Sequence, residues 1–325
     1  MEHRVITLSA CALSLLILQA TNAPAQQWPA KPIRVIVPFP PGQAADIIAR
    51  AIGERLSPAL GQQVIVDNRP GAGGSLGTEL AAKAAPDGYN YLAGGSAALS
   101  INPHLYPKIG YDTLRDFAPV TQLVAIAMVF AVTPSLPAKN LQELIRLAKQ
   151  KPGEFNYGSS GAGSTSHLMT AVLASQAGIT LTHIPYKGSV PALTDLMAGQ
   201  VMLVADTVPA AGPHVNSGKL RAIAVSTIKR IPQMPNLPTA DEQGVKGYDL
   251  MTWTSFVAPS ATPAPILDRL NAEVVKIIAT PEVQKRLIDM GFVPVGNTRE
   301  QFGAFIKREH VAWQKAVQVS GAKVE

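Results

Sequence analysis

The sequence predicts an α/β protein of two lobes joined by a hinge, each lobe built on a mostly parallel sheet. Three observations predict it. Apolar, β-branched runs alternate with helical stretches along most of the chain, which is the pattern of βα units. The series changes character around Val120 to Ala127 and again in the proline-rich stretch from Lys229 to Gly244, so the middle of the chain reads as an insertion whose two crossings form the hinge. The 325 residues, 47% of them hydrophobic, supply enough apolar material for two cores and exclude a disordered chain. The expected division is a leader over 1–25, a first lobe from 26–125 and 230–325, and a second lobe from 126–229.

The leader comes first. Arg4 precedes the apolar run "ALSLLILQA" (Ala12 to Ala20) and the small-residue triplet "APA" at Ala23 to Ala25, the form of a secretory signal cleaved near Ala25. The run is too short for an anchor, and polar Gln19, Thr21 and Asn22 interrupt its end. The single cysteine, Cys11, falls inside the leader, so the exported chain needs neither a disulfide nor a thiolate.

Next comes the strand "IRVIVPF" (Ile33 to Phe39), followed by "AADIIARAIGERL", whose Ile48, Ala51, Ile52 and Leu56 share one helical face. Strand-like "QQVIVDN", "YNYLAGG", "MVFAVTP" and "FNYGSS" and helix-like "GSLGTELAAKAA", "NLQELIRLAKQ" and "STSHLMTAVLASQ" continue the alternation. Asn140 with Glu143 and Thr298 with Gln301 have capping spacing, and Pro281 suits a first helical position. Gly61, Gly178 and Gly291 are placed to stop helices.

Charge narrows the function. Lys and Arg exceed Asp and Glu by 28 to 22, a formal +6, and losing Glu2 and Arg4 with the leader leaves this unchanged. The basic residues are scattered and aromatics make up only 6%, which argues against a nucleic-acid partner. Attraction of small anions is the remaining consequence.

A helix N-terminus leaves amide donors without partners and carries roughly half a positive charge, and in open α/β sheets ligands lie beyond the carboxyl ends of the strands. Two strand-to-helix junctions stand out, "PFPPGQAAD" (Pro38 to Asp46) and "YGSSGAGSTSH" (Tyr157 to His167). Gly42 permits close approach of a ligand, and neither junction contains Lys or Arg. An anion there is held by amides and by hydroxyls such as Ser159, Ser160, Ser164 and Thr165, and one junction on each side of a cleft suits a two-ended acid. Each junction taken singly also reads as an ordinary tight turn. Asp46 reads as structural or as a partner for a ligand's amine, His167 as a helix-terminal hydrogen bonder or a ligand contact, and Phe39 as an apolar wall or core.

Other constellations fall short. In "VDNRPGAGGSLG" the glycines stand at 71, 73, 74 and 77, whereas a dinucleotide fingerprint needs one at 76, where Leu76 stands. A nucleophile elbow around Ser96 or Ser160 is broken by Ala98 and Ala162, and "STIK" at Ser226 to Lys229 lacks companion motifs. His104, His167, His183, His214 and His310 show no paired metal spacing. No catalytic residue, cofactor or metal is expected.

With these residues in view, the chain resembles the Bug-type extracytoplasmic solute receptors of tripartite tricarboxylate transporters. The blocks "PIRVIVPFPPGQAAD", "VIVDNRPGAGGSLGTELAAKAAPDGY", "YDTLRDFAPV", "LIRLAKQKPGEFNYGSSGAGSTSHL", "HIPYKGSVPALTDLMAGQV" and "NAEVVKIIATPEVQKRLIDMG" carry the resemblance over essentially the whole exported chain. It implies a type II-like, two-lobed periplasmic binding protein fold, monomeric and not enzymatic, that closes on a small carboxylate (a dicarboxylate or an aromatic or aliphatic acid) and delivers it to a two-component membrane permease. It further implies ligand contacts at Phe39, Pro41, Gly42, Gln43, Ala44, Ala45 and Asp46, and at Ser159, Ser160, Gly161, Gly163, Ser164, Thr165 and His167. Gly95, Ser96 and Asp206 contribute nearby. Gln43 stands where a second glycine is usual and Ala45 where a threonine or serine often stands, which changes the donors offered to the ligand. Two rival roles are a ligand-presenting sensor protein and an exported enzyme acting on a carboxylate or ester; the missing nucleophile geometry speaks against the enzyme.

Overall fold

The computed structural model describes residues 28–322. The predicted leader, with Cys11 and the cleavage point near Ala25, lies outside the described residues. Among the described residues, no helix is long and apolar enough to cross a membrane.

The chain forms β1 (Ile33–Val37), α1 (Ala44–Leu60), β2 (Val64–Asn68), α2 (Ser75–Ala82) and β3 (Asn90–Gly95). A π turn (Ala97–Ile101) and two short helices, α3 (Asn102–Leu105) and α4 (Thr113–Asp116), lead into β4 (Phe117–Ile126). Ala127 alone separates β4 from β5 (Met128–Val132), which opens the second series: α5 (Leu141–Gln150), β6 (Asn156–Ser159), α6 (Thr165–Ala177), β7 (Thr182–Pro185), α7 (Ser189–Met197), β8 (Leu203–Thr207), α8 (Val208–Asn216) and β9 (Arg221–Val225). The return brings β10 (Thr252–Pro259), α9 (Ala264–Ile278), α10 (Pro281–Asp289), β11 (Val293–Pro294) and the long α11 (Arg299–Ser320).

Local chemistry explains these elements. The β-branched β1 is buried along most of its length, and Ile48, Ile52 and Leu56 of α1 pack on it while Arg50, Glu54 and Arg55 face solvent. Burying each of those three side chains stabilises by roughly 1.5–3 kcal/mol. Gly61 ends α1 with φ +68 and Gly178 ends α6 with φ +63, conformations that cost other residues about 1–2 kcal/mol. Asn140 accepts the Glu143 amide at 2.9 Å to cap α5, and Thr298 with Gln301 forms a reciprocal capping box on α11.

Strand order is the same in both sheets, apart from one added edge strand. The first runs β11-β4-β10-β3-β1-β2 and the second β7-β6-β8-β5-β9. In each, the first strand of a βα series (β1, β6) has the second (β2, β7) on one side and the third (β3, β8) on the other. These pairs are parallel. The sheets are nevertheless mixed rather than mostly parallel. The strand that returns to the first sheet, β10, lies antiparallel between β3 and β4, and the strand that enters the second, β5, lies antiparallel between β8 and β9. Alternation of strand and helix signals could not reveal this, because direction in the sheet is set by how the crossings are laid, not by side-chain period.

Contacts at three places hold the crossings together and join the two cores. Ser226 accepts and donates across the crossing, its amide to the Met128 carbonyl at 2.9 Å and its Oγ from the Met128 amide at 3.1 Å. Residues beyond β9 pack back on the second sheet: Tyr248 stands edge-on to Phe130 and donates to the Met169 carbonyl at 2.8 Å. Finally, α11 spans both lobes, with Phe302 and Ile306 in a first-lobe core beside Trp253 and with Trp313, Ala316 and Val317 in a second-lobe core beside Leu168 and Leu173.

Candidate ligand-binding site

When the neighbours of a strand lie on both sides of it, the helices that follow diverge, and a crevice opens at the carboxyl edge. In the first sheet that strand is β1, followed by residues 38–43. In the second it is β6, followed by residues 160–164. The topology thus selects the same two junctions that composition singled out.

In the first junction Gln43 occupies the N-cap of α1 with extended backbone and makes no side-chain cap. The amides of Ala44, Ala45 and Asp46 therefore have no acceptor within the helix. Pro41, Gly42 and Gln43 are exposed and Ala44 is half-buried. Gly42 adopts φ +84, and a Cβ there would meet nothing within 4 Å, so its conformation rather than crowding requires glycine. Phe39 lays its ring on Gly74, 3.0 Å from where a Cβ would stand.

Asp46 is buried, and both oxygens are taken within the chain. Oδ2 accepts the Gly42 amide at 2.9 Å, while Oδ1 accepts Arg50 Nε at 2.9 Å and Asn68 Nδ2 at 3.0 Å. Asn68 also donates to the Phe39 carbonyl at 3.1 Å. Burial pushes the carboxyl up, but hydrogen bonds from Arg50, Gly42 and Asn68 outweigh it and hold Asp46 below the ordinary carboxylate range. The geometry is that of a knot fixing the turn.

In the second junction the N-cap of α6 is Ser164, whose Oγ accepts the His167 amide at 3.3 Å and donates to the Gly161 carbonyl at 2.6 Å. Ser166 Oγ accepts the Ser160 amide at 2.9 Å and lies 3.0 Å from the hydroxyls of both Ser160 and Ser164. Ser159 is fully buried, between Gly161 and His183 Nε2, the latter at 2.6 Å. The hydroxyls of Ser159 and Ser164 thus shape the loop. Gly161 and Gly163 have φ +140 and +74, and Leu105 leaves no room for a Cβ at Gly163. Thr165, at the first position of α6, is half-buried. His167 is buried, and its Nδ1 accepts the Gly163 amide at 3.1 Å.

The remaining candidates sit at the same edges. Asp206 is buried at the carboxyl end of β8, where it accepts the Thr207 amide at 2.7 Å and the Ser189 hydroxyl; burial raises its carboxyl above the ordinary value despite these donors. Gly95 ends β3, and a Cβ there would collide with the Trp253 carbonyl, so this glycine serves strand packing. Ser96 is buried at the turn that follows, and its side chain caps nothing.

A path of contacts joins the junctions: Phe39 on Gly74, Asn102 Nδ2 to the neighbouring Gly73 carbonyl at 2.9 Å, and Leu105, in the same short helix as Asn102, against Gly163. Sequence reasoning missed Asn68, Arg50, Ser166, Tyr157 and His183 as supports. Ser166 and Tyr157 lay inside the quoted junction, but Asn68 and His183 come from neighbouring strands, and no local spacing points to them.

Comparison with known proteins decides the family. The model of the tripartite tricarboxylate transporter family receptor matches residues 48–321. The chain belongs to this family. The receptor is 36% identical over 307 residues to protein BugT of Bordetella pertussis, covering 94% of each chain, and 37% identical over 317 residues to a UPF0065 protein from a tcbD-tcbE intergenic region of a Pseudomonas species, covering 97% of this chain and 94% of that one. Among solved structures it resembles Rpa4515 of R. palustris with adipate (36% identity, TM-score 0.80, 91% of this chain and 100% of that one). It also resembles the periplasmic binding protein BugD (34%, 0.75, 92% and 100%) and MatC of Rhodopseudomonas palustris with bound malate (31%, 0.75, 89% and 100%). The receptor is a solute-binding protein of the two-lobed periplasmic type.

Proposed function

We propose that the receptor captures a small dicarboxylate in the cleft between its lobes and hands it to a two-component membrane permease. The observation that carries this reading is the pair of glycine-bearing helix starts at the two topological switch points, with amides unengaged within the helices and no Lys or Arg in either turn. A site of amides and hydroxyls binds a carboxylate without a fixed counter-charge, and two such sites on opposite lobes match an acid charged at both ends. The similarity to Rpa4515 with adipate and to MatC with malate supports the same chemistry. A few charge-assisted hydrogen bonds of roughly 1.5–3 kcal/mol each reach about −8 kcal/mol, a micromolar affinity, after ordering costs.

In this reading the lobes are divided into 26–125 with 230–325 and 126–229, apart from the stretch around Tyr248 that packs on the second sheet; the first lobe carries the jaw from Phe39 to Asp46, and the second carries the jaw from Ser159 to His167. Gly95, Ser96 and Asp206 line the floor. Closure turns about Ala127 and Ser226, and the chain acts as a periplasmic monomer once its leader is removed near Ala25. Thermal-shift screening of the exported form against adipate, malate, aromatic acids, tricarboxylates, amino acids and nucleotides tests this. A shift with dicarboxylates is expected; a shift with nucleotides or esters and none with carboxylates overturns it. Mass spectrometry of the exported chain checks the cleavage point.

A further inference from the structure

Behind the second jaw, three rings form a stack. Tyr157 of β6 lies 4.9 Å from His183 of β7, and His183 lies 3.8 Å from His167 of α6, with the imidazole planes only 5° apart. Each imidazole holds one end of the jaw. His183 Nε2 is 2.6 Å from Ser159 Oγ, and His167 Nδ1 accepts the Gly163 amide at 3.1 Å. An imidazole nitrogen that accepts an amide proton carries none itself, so the proton of His167 sits on Nε2. Both rings also line an open pocket of about 520 Å³, with Ile179, Leu181 and the last turn of α11, through which solvent protons reach them.

We propose that His167 and His183 are positioning residues for ligand capture: neutral, they fix the jaw from Ser159 to Ser164, and one proton taken up by His167 Nδ1 lets it go. That proton occupies the lone pair used by the Gly163 amide, so two N–H groups then face each other and the bond is lost. Face-to-face stacking prevents both rings from being cationic together at acceptable energy. Tyr157 is the titratable group stacked on the pair, and burial keeps it neutral. Among the described residues, the end of α11 contributes Val319, Ser320, Gly321 and Ala322 to the pocket, none of them ionisable, and α6 carries no charged side chain. Burial, followed by the neighbouring His183, pushes His167 down to about 4, and burial lowers His183 also. The jaw is therefore set above the ordinary imidazole value of 6.5 and released progressively as pH falls towards 4.

This inference rests on the reading of that loop as a ligand jaw, but its first test needs no ligand. Amide hydrogen exchange at Gly163 is followed in the unliganded exported protein from about pH 7 to about pH 4 and expressed as protection. In the wild type, protection is expected to fall roughly fivefold to tenfold, the worth of one hydrogen bond. In His167→Asn the amide oxygen takes the place of Nδ1 and does not titrate, so protection stays level; in His167→Ala it is low throughout. A level wild-type profile, or an Asn variant that falls in parallel with it, overturns the proposal. The Asn variant decides even where the Ala variant fails to fold. In calorimetry with adipate, the affinity ratio of His167→Asn to wild type should rise as pH falls, a comparison that cancels protonation of adipate itself; an unchanging ratio counts against the proposal. Absence of adipate and malate binding to the wild type at neutral pH refutes the dicarboxylate reading and leaves the exchange result standing.

Discussion

Asp46→Asn separates two opposed effects of the carboxylate beside the first jaw. As a negative charge in the first turn of α1, Asp46 would repel an arriving anion; as the acceptor for Gly42, Asn68 and Arg50, it holds the turn proposed to receive the anion. Arg50 lies 2.9 Å away and compensates the charge, although its own side chain is half exposed and that pair contributes little by itself. The asparagine amide turns an N–H₂ towards the Gly42 amide in one orientation and towards both Arg50 and Asn68 in the other. A stranded donor costs about 1–3 kcal/mol, and the lost first-turn charge about 0.3–1 kcal/mol more. Together these amount to about 2 kcal/mol, or a fall of about 4 °C in Tm for a chain of this size. Loosening of the turn should weaken adipate binding roughly tenfold, about 1.4 kcal/mol. Asp46 is held below its ordinary value of 3.8, so its stabilisation is complete above that pH and fades as pH falls through the folded value. The gap between wild type and variant should therefore close in acid. Thermal melts across pH and calorimetry at neutral pH measure both effects. An unchanged Tm, or tighter binding of adipate, refutes the knot and makes Asp46 a repulsive charge.

Three further expectations follow from the packing. Gly95→Ala drives a methyl into the Trp253 carbonyl and should destabilise by about 3 kcal/mol, the upper range for overpacking, whereas Gly42→Ala, in open space at φ +84, should lose only about 1 kcal/mol; equal losses in chemical denaturation contradict this. Ser166→Ala strands the Ser160 amide and should cost about 1–3 kcal/mol with weaker ligand binding, and unchanged calorimetry would remove Ser166 from the second jaw. Glu309 is half-buried and raised above 4.5 by that burial, although Trp253 and Trp313 both donate to Oε2, at 2.8 and 2.9 Å; its stabilisation is full below 4.5 and fades as pH rises through the folded value. Glu309→Gln should therefore melt no lower than wild type at neutral pH, and a loss above about 2 kcal/mol would show that the charge itself is needed.

The two turns of the candidate site were legible in the sequence because their signals are local. Gly42, Gly161 and Gly163 mark turns that need positive φ, and a strand that ends in such a turn before an amphipathic helix exposes amides whatever the rest of the chain does. The absence of Lys and Arg from both turns was equally plain. The division of labour among hydroxyls was not. Ser159, Ser160 and Ser164 looked equivalent as ligand donors, yet Ser159 bonds Gly161 and His183 while Ser160 and Ser164 share Ser166, because a hydroxyl's partner depends on where the neighbouring strand places His183 and where helix packing places Ser166. Asp46 kept two readings for the same reason, as its partner Asn68 arrives from β2.

By itself the sequence determined the alternation of strands and helices, the caps at Asn140 and Thr298, and the family. These depend on side-chain period, capping chemistry and turn residues, all of which act within a few positions. Only the tertiary structure decided the antiparallel placement of β5 and β10, the bridging of both cores by α11, and the stacking of His167 on His183. Each of these is a contact between segments distant in sequence, fixed by how buried surfaces and their hydrogen bonds are satisfied together, and no short stretch of sequence carries that information.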